Sequence, residues 1–132
     1  MRTLLFLFIV SALIGCMRGS DSPDTVVVRG TVSIDGQPIP LGNIDFEPVD
    51  GLGRSCSGVI EGGKFEFRSP IGHKKVMIFA SRKSGKKGEE FGNDLMESYI
   101  PEKYNTNSSL TATVAERGEN RFLFELQSAN SN

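Results

Sequence analysis

Few side chains in this sequence can do chemistry, and their spacing excludes most of the usual reactions. His73 is the only histidine, so neither a histidine metal cluster nor a two-histidine acid-base pair can form. Serine-hydrolase elbows, zincin helices, phosphate-binding loops and dinucleotide fingerprints are absent. Gly85-Lys86-Lys87-Gly88 is a charged turn without the strand-loop-helix frame that a phosphate loop needs. Cys56 sits between Ser55 and Ser57 with no neighbouring histidine to activate it, which reads as a small core residue, with an intermolecular disulfide as the alternative. Asp45 and Glu47 project from one strand face, but two carboxylates cannot fill the roughly six to eight oxygen positions that calcium takes. Those acids, and Glu89-Glu90, read as a solvated face.

Two groups point to binding rather than reaction. Lys74, Lys75, Arg82, Lys83, Lys86 and Lys87 are six basic residues with no acid between them. Such a run either keeps strand ends wet and blocks edge pairing, or presents a positive patch to an anionic envelope polymer, lipid head groups or an acidic partner, with Lys83, Lys86 and Lys87 as the contacts. Tyr99 and Tyr104, with Asn105 and Asn107 nearby, are the aromatic and amide set on which a glycan would stack.

The second cysteine, Cys16, has a different setting. Arg2 is followed by an apolar run from Leu4 to Ile14, broken only by Ser11 and ending at Gly15-Cys16, and residues 1 to 15 are expected to be a secretory signal peptide. The run is too short for the roughly 20 apolar residues of a membrane span. Leu13-Ile14-Gly15-Cys16 resembles the lipobox of bacterial lipoproteins, in which the thiol forms a thioether to diacylglycerol and a peptidase cuts before the cysteine. An ordinary cleavage site wants a small third-last residue, where Leu13 is large. Cys16 is therefore the expected lipid attachment, and the acyl chains do the anchoring. Removing residues 1 to 15 removes Arg2 alone among the charges, leaving 14 basic residues against 16 acidic. Residues 16 to 24 read as a lipidated tether, whose residues 17 to 24 reach at most about 28 Å.

These groups must be carried by one small domain. The chain has 132 residues with 15 Lys and Arg against 16 Asp and Glu, room for one core, and a balance that excludes nucleic-acid binding through bulk charge. Fifteen glycines and six prolines favour short segments and many turns, hence an all-β module. Two cysteines make no disulfide framework, so the fold rests on apolar burial. Alternation puts Val26, Val28, Gly30, Val32 and Ile34 on one face, and Ile44 and Phe46 on one face of a strand expected to neighbour the first. Glu61-Gly62-Gly63 joins Ser55 to Ile60 with Lys64 to Arg68, turning Phe65 and Phe67 inward. Lys75 to Arg82 reads as a central strand covered on both faces. Leu110 to Val114 and Phe122 to Leu126 complete seven strands, the pattern of a β-sandwich. Lys83 to Ser109 reads as one long loop, with one or two helical turns over Asp94 to Ile100, covering Met77 and Phe79 through Phe91, Leu95, Met96, Tyr99 and Tyr104. The domain runs from 25 to 127, and 128 to 132 are expected to be a disordered tail.

Gly30-Thr31-Val32-Ser33-Ile34-Asp35-Gly36-Gln37-Pro38-Ile39, followed by Gly42-Asn43-Ile44-Asp45-Phe46, resembles the opening of carboxypeptidase regulatory-like domains. The similarity continues through Ser57-Gly58, Gly63-Lys64-Phe65, Gly72 with Val76 and Ile78, and Ile100-Pro101-Glu102-Lys103-Tyr104-Asn105. It implies a transthyretin-like (prealbumin-like) sandwich in a bacterial lipoprotein. Lys74 stands where that family usually has Tyr, implying a looser start to its strand. Hydroxyisourate hydrolases share the implied fold but use several histidines and end in Tyr-Arg-Gly-Ser, whereas this chain ends Ala129-Asn130-Ser131-Asn132. The expected function is a non-catalytic, lipid-anchored binding or scaffolding module of the bacterial cell envelope, without cofactor or metal. Its partners would be the membrane through the anchor and an envelope protein or glycan. The alternatives are a carbohydrate-binding module and an accessory domain of an envelope enzyme complex.

Overall fold

The computed structural model describes residues 25 to 130. The expected signal peptide, Cys16 and the tether lie outside the described residues. The chain is all-β. Seven strands form one curled path: β1 (Thr25–Ile34), β3 (Leu41–Pro48), β4 (Cys56–Glu61), β5 (Lys64–Pro70), β6 (Gly72–Phe79), β9 (Thr111–Val114) and β10 (Asn120–Leu126), in the order β10-β1-β5-β4-β3-β6-β9. A two-residue strand, β2 (Gln37–Pro38), pairs back onto β1, and β7 (Ser81–Lys87) with β8 (Asp94–Ser98) makes a separate hairpin. The seven path strands fall on the seven alternating segments of the sequence.

Two layers arise because β4 and β5 pair only at Glu61↔Lys64 and then splay. Gly62 and Gly63, both in the left-handed region, make that turn. One layer is β10-β1-β5 and the other β4-β3-β6-β9. Alternation supplies the filling, with Val28, Val32, Ile44, Phe46, Ile60, Val76 and Ile78 almost wholly buried. Phe46 crosses between the layers, its ring edge-on to Phe67 at 5.1 Å and to Phe122 at 5.8 Å. Phe65, turned inward as expected, and Phe124 are buried, while Phe122, on an edge strand, is only half-buried.

Three expectations need correction. The strand of Ile44 and Phe46 does not neighbour β1; it pairs with β4 and β6. After the Asp35-Gly36 turn, Pro38 and Pro40 limit ladder donation and Ile39 plugs the end of the core, so the chain crosses to the other layer. Asp94 to Ile100 is not helical: Asp94–Ser98 is a strand, and the single 3-10 turn comes after Pro101, at Glu102–Tyr104. Lys74 does not loosen its strand, for it takes an inward position and is only 3% exposed, its stem filling the place of an apolar side chain. Just beyond β10 the Ser128 N–H donates to Asp35 Oδ1 at 3.0 Å.

The sandwich has two distinct ends. Thr25 pairs with Pro70, placing it beside the start of β6 at Gly72. Ile34, Leu41 and Phe79 lie at the opposite end, and the β7–β8 hairpin leaves from there. No helix among the described residues is long and apolar enough to cross a membrane.

Candidate functional site

The hairpin carries most of the candidate binding residues. β7 contains no large apolar side chain, so burial does not hold it; main-chain pairing and cross-strand charge do. Ser81↔Ser98, Arg82↔Glu97 and Lys83↔Met96 are in register, and a slip at Gly85 brings Lys87 opposite Asp94. Arg82 Nε lies 3.0 Å from Glu97 Oε1, Lys83 Nζ 2.7 Å from Asp94 Oδ2, and Lys87 Nζ 2.6 Å from Asp94 Oδ1. From Ser81 to Ser98 four basic residues face Glu89, Glu90, Asp94 and Glu97, also four. The part of the basic run that lies in the ribbon is therefore matched in number by acids, and of Lys83, Lys86 and Lys87 only Lys86 has no ion pair among the described residues.

Lys83, and next Lys87, hold the Asp94 carboxyl below its ordinary value. The charged carboxylate is thus favoured in the closed hairpin, and its contribution is complete above the ordinary carboxylate pKa and lost as pH falls below it. Amide protection across Ser81 to Ser98 is expected to persist at about pH 6 and to fall at about pH 3, with the sandwich strands still protected. Asp94→Asn should give the same loosening at neutral pH; hydrogen exchange unchanged by either treatment would contradict the arrangement.

The tyrosines lie elsewhere. Tyr99 and Tyr104 pack against the core at the base of the hairpin, and burial raises the Tyr99 phenol pKa against the lowering effect of Arg82. Arg82 sits 5.4 Å above the Tyr99 ring and Lys103 Nζ 5.0 Å from that of Tyr104. The Tyr104 hydroxyl accepts from the Gln127 N–H at 3.1 Å. Asn105 is buried and donates to the Ile100 carbonyl, while Asn107 donates to Glu102 Oε2 at 3.4 Å. Each ring thus has a cation over one face, and both amides are engaged within the chain.

The apolar cover expected from the loop is divided. Tyr99 and Tyr104 do pack on the core, but Leu95, Met96 and Phe91 are exposed, Phe91 by 83%. Phe91 stands at the tip between Glu90 and Gly92, where the Gly88 N–H bonds the Asn93 carbonyl at 2.8 Å and closes the turn.

Cys56 and His73 sit on sandwich strands, β4 and β6. Burial pushes the Cys56 thiol pKa up despite a Ser69 hydrogen bond and the Lys74 charge, keeping it protonated at neutral pH. His73 Nδ1 lies 3.0 Å from Thr113 Oγ1 on the neighbouring strand. Among the described residues no three His, Cys, Asp or Glu side chains group to hold a metal.

A feature that periodicity does not reveal is a cleft of about 1150 Å³ beside the splayed β4–β5 hairpin, lined by β1, β4, β5 and β10. Its floor includes Phe65, Phe67 and Phe122, and Gly30 and Gly58 line it without side chains. A Cβ at Gly58 would meet the Phe67 ring at 2.3 Å. Val59 and Leu123, both more than half exposed, form apolar walls, and Arg29, Lys64 and Arg121 line it with Glu61 and Glu66. Compared with family models, with curated proteins and with solved structures, the chain matches none.

Proposed function

We propose that this protein is a lipid-anchored module of the bacterial cell envelope with a non-catalytic binding or scaffolding role, the sandwich acting as a stand and the β7–β8 hairpin as its contact surface. The observation that carries this reading is the hairpin itself. A two-stranded ribbon is marginal in water, yet this one leaves Phe91, Leu95 and Met96 exposed while Arg82, Lys83 and Lys87 are engaged by Glu97 and Asp94 across the strands. Exposed apolar side chains grouped on a projecting element favour a contact made with something else. Thr25 supports the polarity, since a tether ending there would hold the end of the sandwich opposite the hairpin. The residues similar to carboxypeptidase regulatory-like domains belong to the same reading, as turn and core positions of an accessory fold. The engagement of Tyr99, Tyr104, Asn105 and Asn107 favours a protein contact over a glycan.

The anchor and the contact surface are tested separately in envelope fractions. Cys16→Ser should appear in the soluble fraction or as uncut precursor, and a variant retained on the membrane with residues 1 to 15 removed would overturn the lipid anchor. Phe91→Ser with Met96→Ser should melt at the temperature of the parent yet lose its formaldehyde adducts. Equal adduct yield would remove the hairpin as the contact surface.

A further inference from the structure

The hairpin tip and the flank cleft are complementary in both shape class and charge. The tip presents an aromatic ring beside two adjacent carboxylates, Glu89 and Glu90, neither of which has an ion pair among the described residues. The cleft presents an aromatic and aliphatic surface with three cations against two acids. Lys64 has no ion pair among the described residues, and Arg29 and Arg121 hold only loose, exposed ones, to Glu66 at 3.5 Å and to Glu119 at 3.7 Å. These cations are available to a second carboxylate, because exposed pairs of that length are worth little and exchange readily. At about 1150 Å³ the cleft has ample room for one phenylalanine side chain and the turn that carries it.

We propose that the Glu89-Glu90-Phe91 tip of one copy seats in the β4–β5 cleft of a second copy, resting on the reading of the hairpin as a contact surface. Phe91 would lie against Phe67 and Leu123, with Glu89 and Glu90 toward Lys64 and Arg121. The two surfaces are different parts of the molecule, so each seated copy still offers one tip or one cleft. A contact of that kind propagates into a ring or an open chain rather than stopping at a twofold dimer. The module is then a self-assembling envelope scaffold.

The test places a photoreactive benzophenone amino acid at position 91 of the full chain, with irradiation in the bacterial cell. The expected product is a ladder at multiples of the chain's own mass, with the cross-linked peptide falling in residues 57 to 67 or 121 to 123. A chain carrying Lys64→Glu with Arg121→Glu, which leaves the Arg29–Glu66 pair intact, should lose the ladder by about tenfold or more, corresponding to about 1.4 kcal/mol. Mixing that chain with one carrying Glu89→Lys and Glu90→Lys should restore it, and matching thermal melts would show all variants folded. Adducts to a different protein would overturn the self-contact while leaving the hairpin as a binding surface. Adducts to lipid, or none, would remove both readings.

Discussion

Phe46→Ala is expected to cost about 3 to 5 kcal/mol in chemical denaturation, the largest loss for any single truncation in this domain. Phe46 is wholly buried and is the one ring in edge contact with both Phe67 and Phe122. Its removal therefore deletes the transfer energy of the ring, leaves a cavity between the layers, and breaks two aromatic contacts worth about 0.5 to 1.5 kcal/mol each. Small domains are stable by only about 5 to 15 kcal/mol, so the variant should be partly unfolded near its growth temperature. Phe122→Ala, at a half-buried edge position, should lie at or below the lower limit of that range. A loss under about 1 kcal/mol at Phe46 would mean that the ring does not hold the layers together.

Gly30→Ala should be the most damaging one-methyl addition, costing about 3 kcal/mol or more. A Cβ at that position would lie 2.0 Å from the Phe122 carbonyl oxygen and 2.8 Å from Phe65 Cζ. The first neighbour is main chain in the β1–β10 ladder, where Gly30 is paired with Phe122, so relief requires the strands to part. Gly58→Ala is the informative contrast, because its obstacle is the Phe67 ring, a side chain rather than main chain, so its cost falls on the Phe46–Phe67 contact and not on a strand ladder. Hydrogen exchange should show β10 losing protection in Gly30→Ala before β3 and β6 do. Stability within about 0.5 kcal/mol of the parent would contradict the close approach.

The strands were legible where burial dictates them. Val28, Val32, Ile44, Phe46, Val76 and Ile78 alternate because one face meets the core, and two-residue spacing reports that directly. Partner choice was less legible, since alternation says which face is buried and nothing about the neighbouring strand; β1 and β3 separated for that reason. The hairpin escaped because Ser81 to Lys87 has no apolar period, its extended form depending on Asp94 and Glu97 across the ribbon. Those same acids pair with Arg82, Lys83 and Lys87, three members of a basic run that has no acid of its own between residues 74 and 87. The cleft depends on glycines at 30 and 58, which come together through the curl of the sheet.

The parallel pairing of β1 with β10 sets an order of events. Val28↔Asn120 through Ile34↔Leu126 join the first described strand to the last, across more than 90 residues of intervening chain. Closing so long a loop precedes any gain from the contacts it brings, which places the domain among slow, high-contact-order folders. Until Leu126 has been synthesised, β1 lacks one neighbour, and Phe46 and Phe65 lack the rings of Phe122 and Phe124 that lie against them. The nascent chain therefore presents its aromatic residues to other chains for longer than a local-contact fold would. A holding chaperone during synthesis, or fast completion of the chain, should raise the soluble yield more than any change to the finished surface.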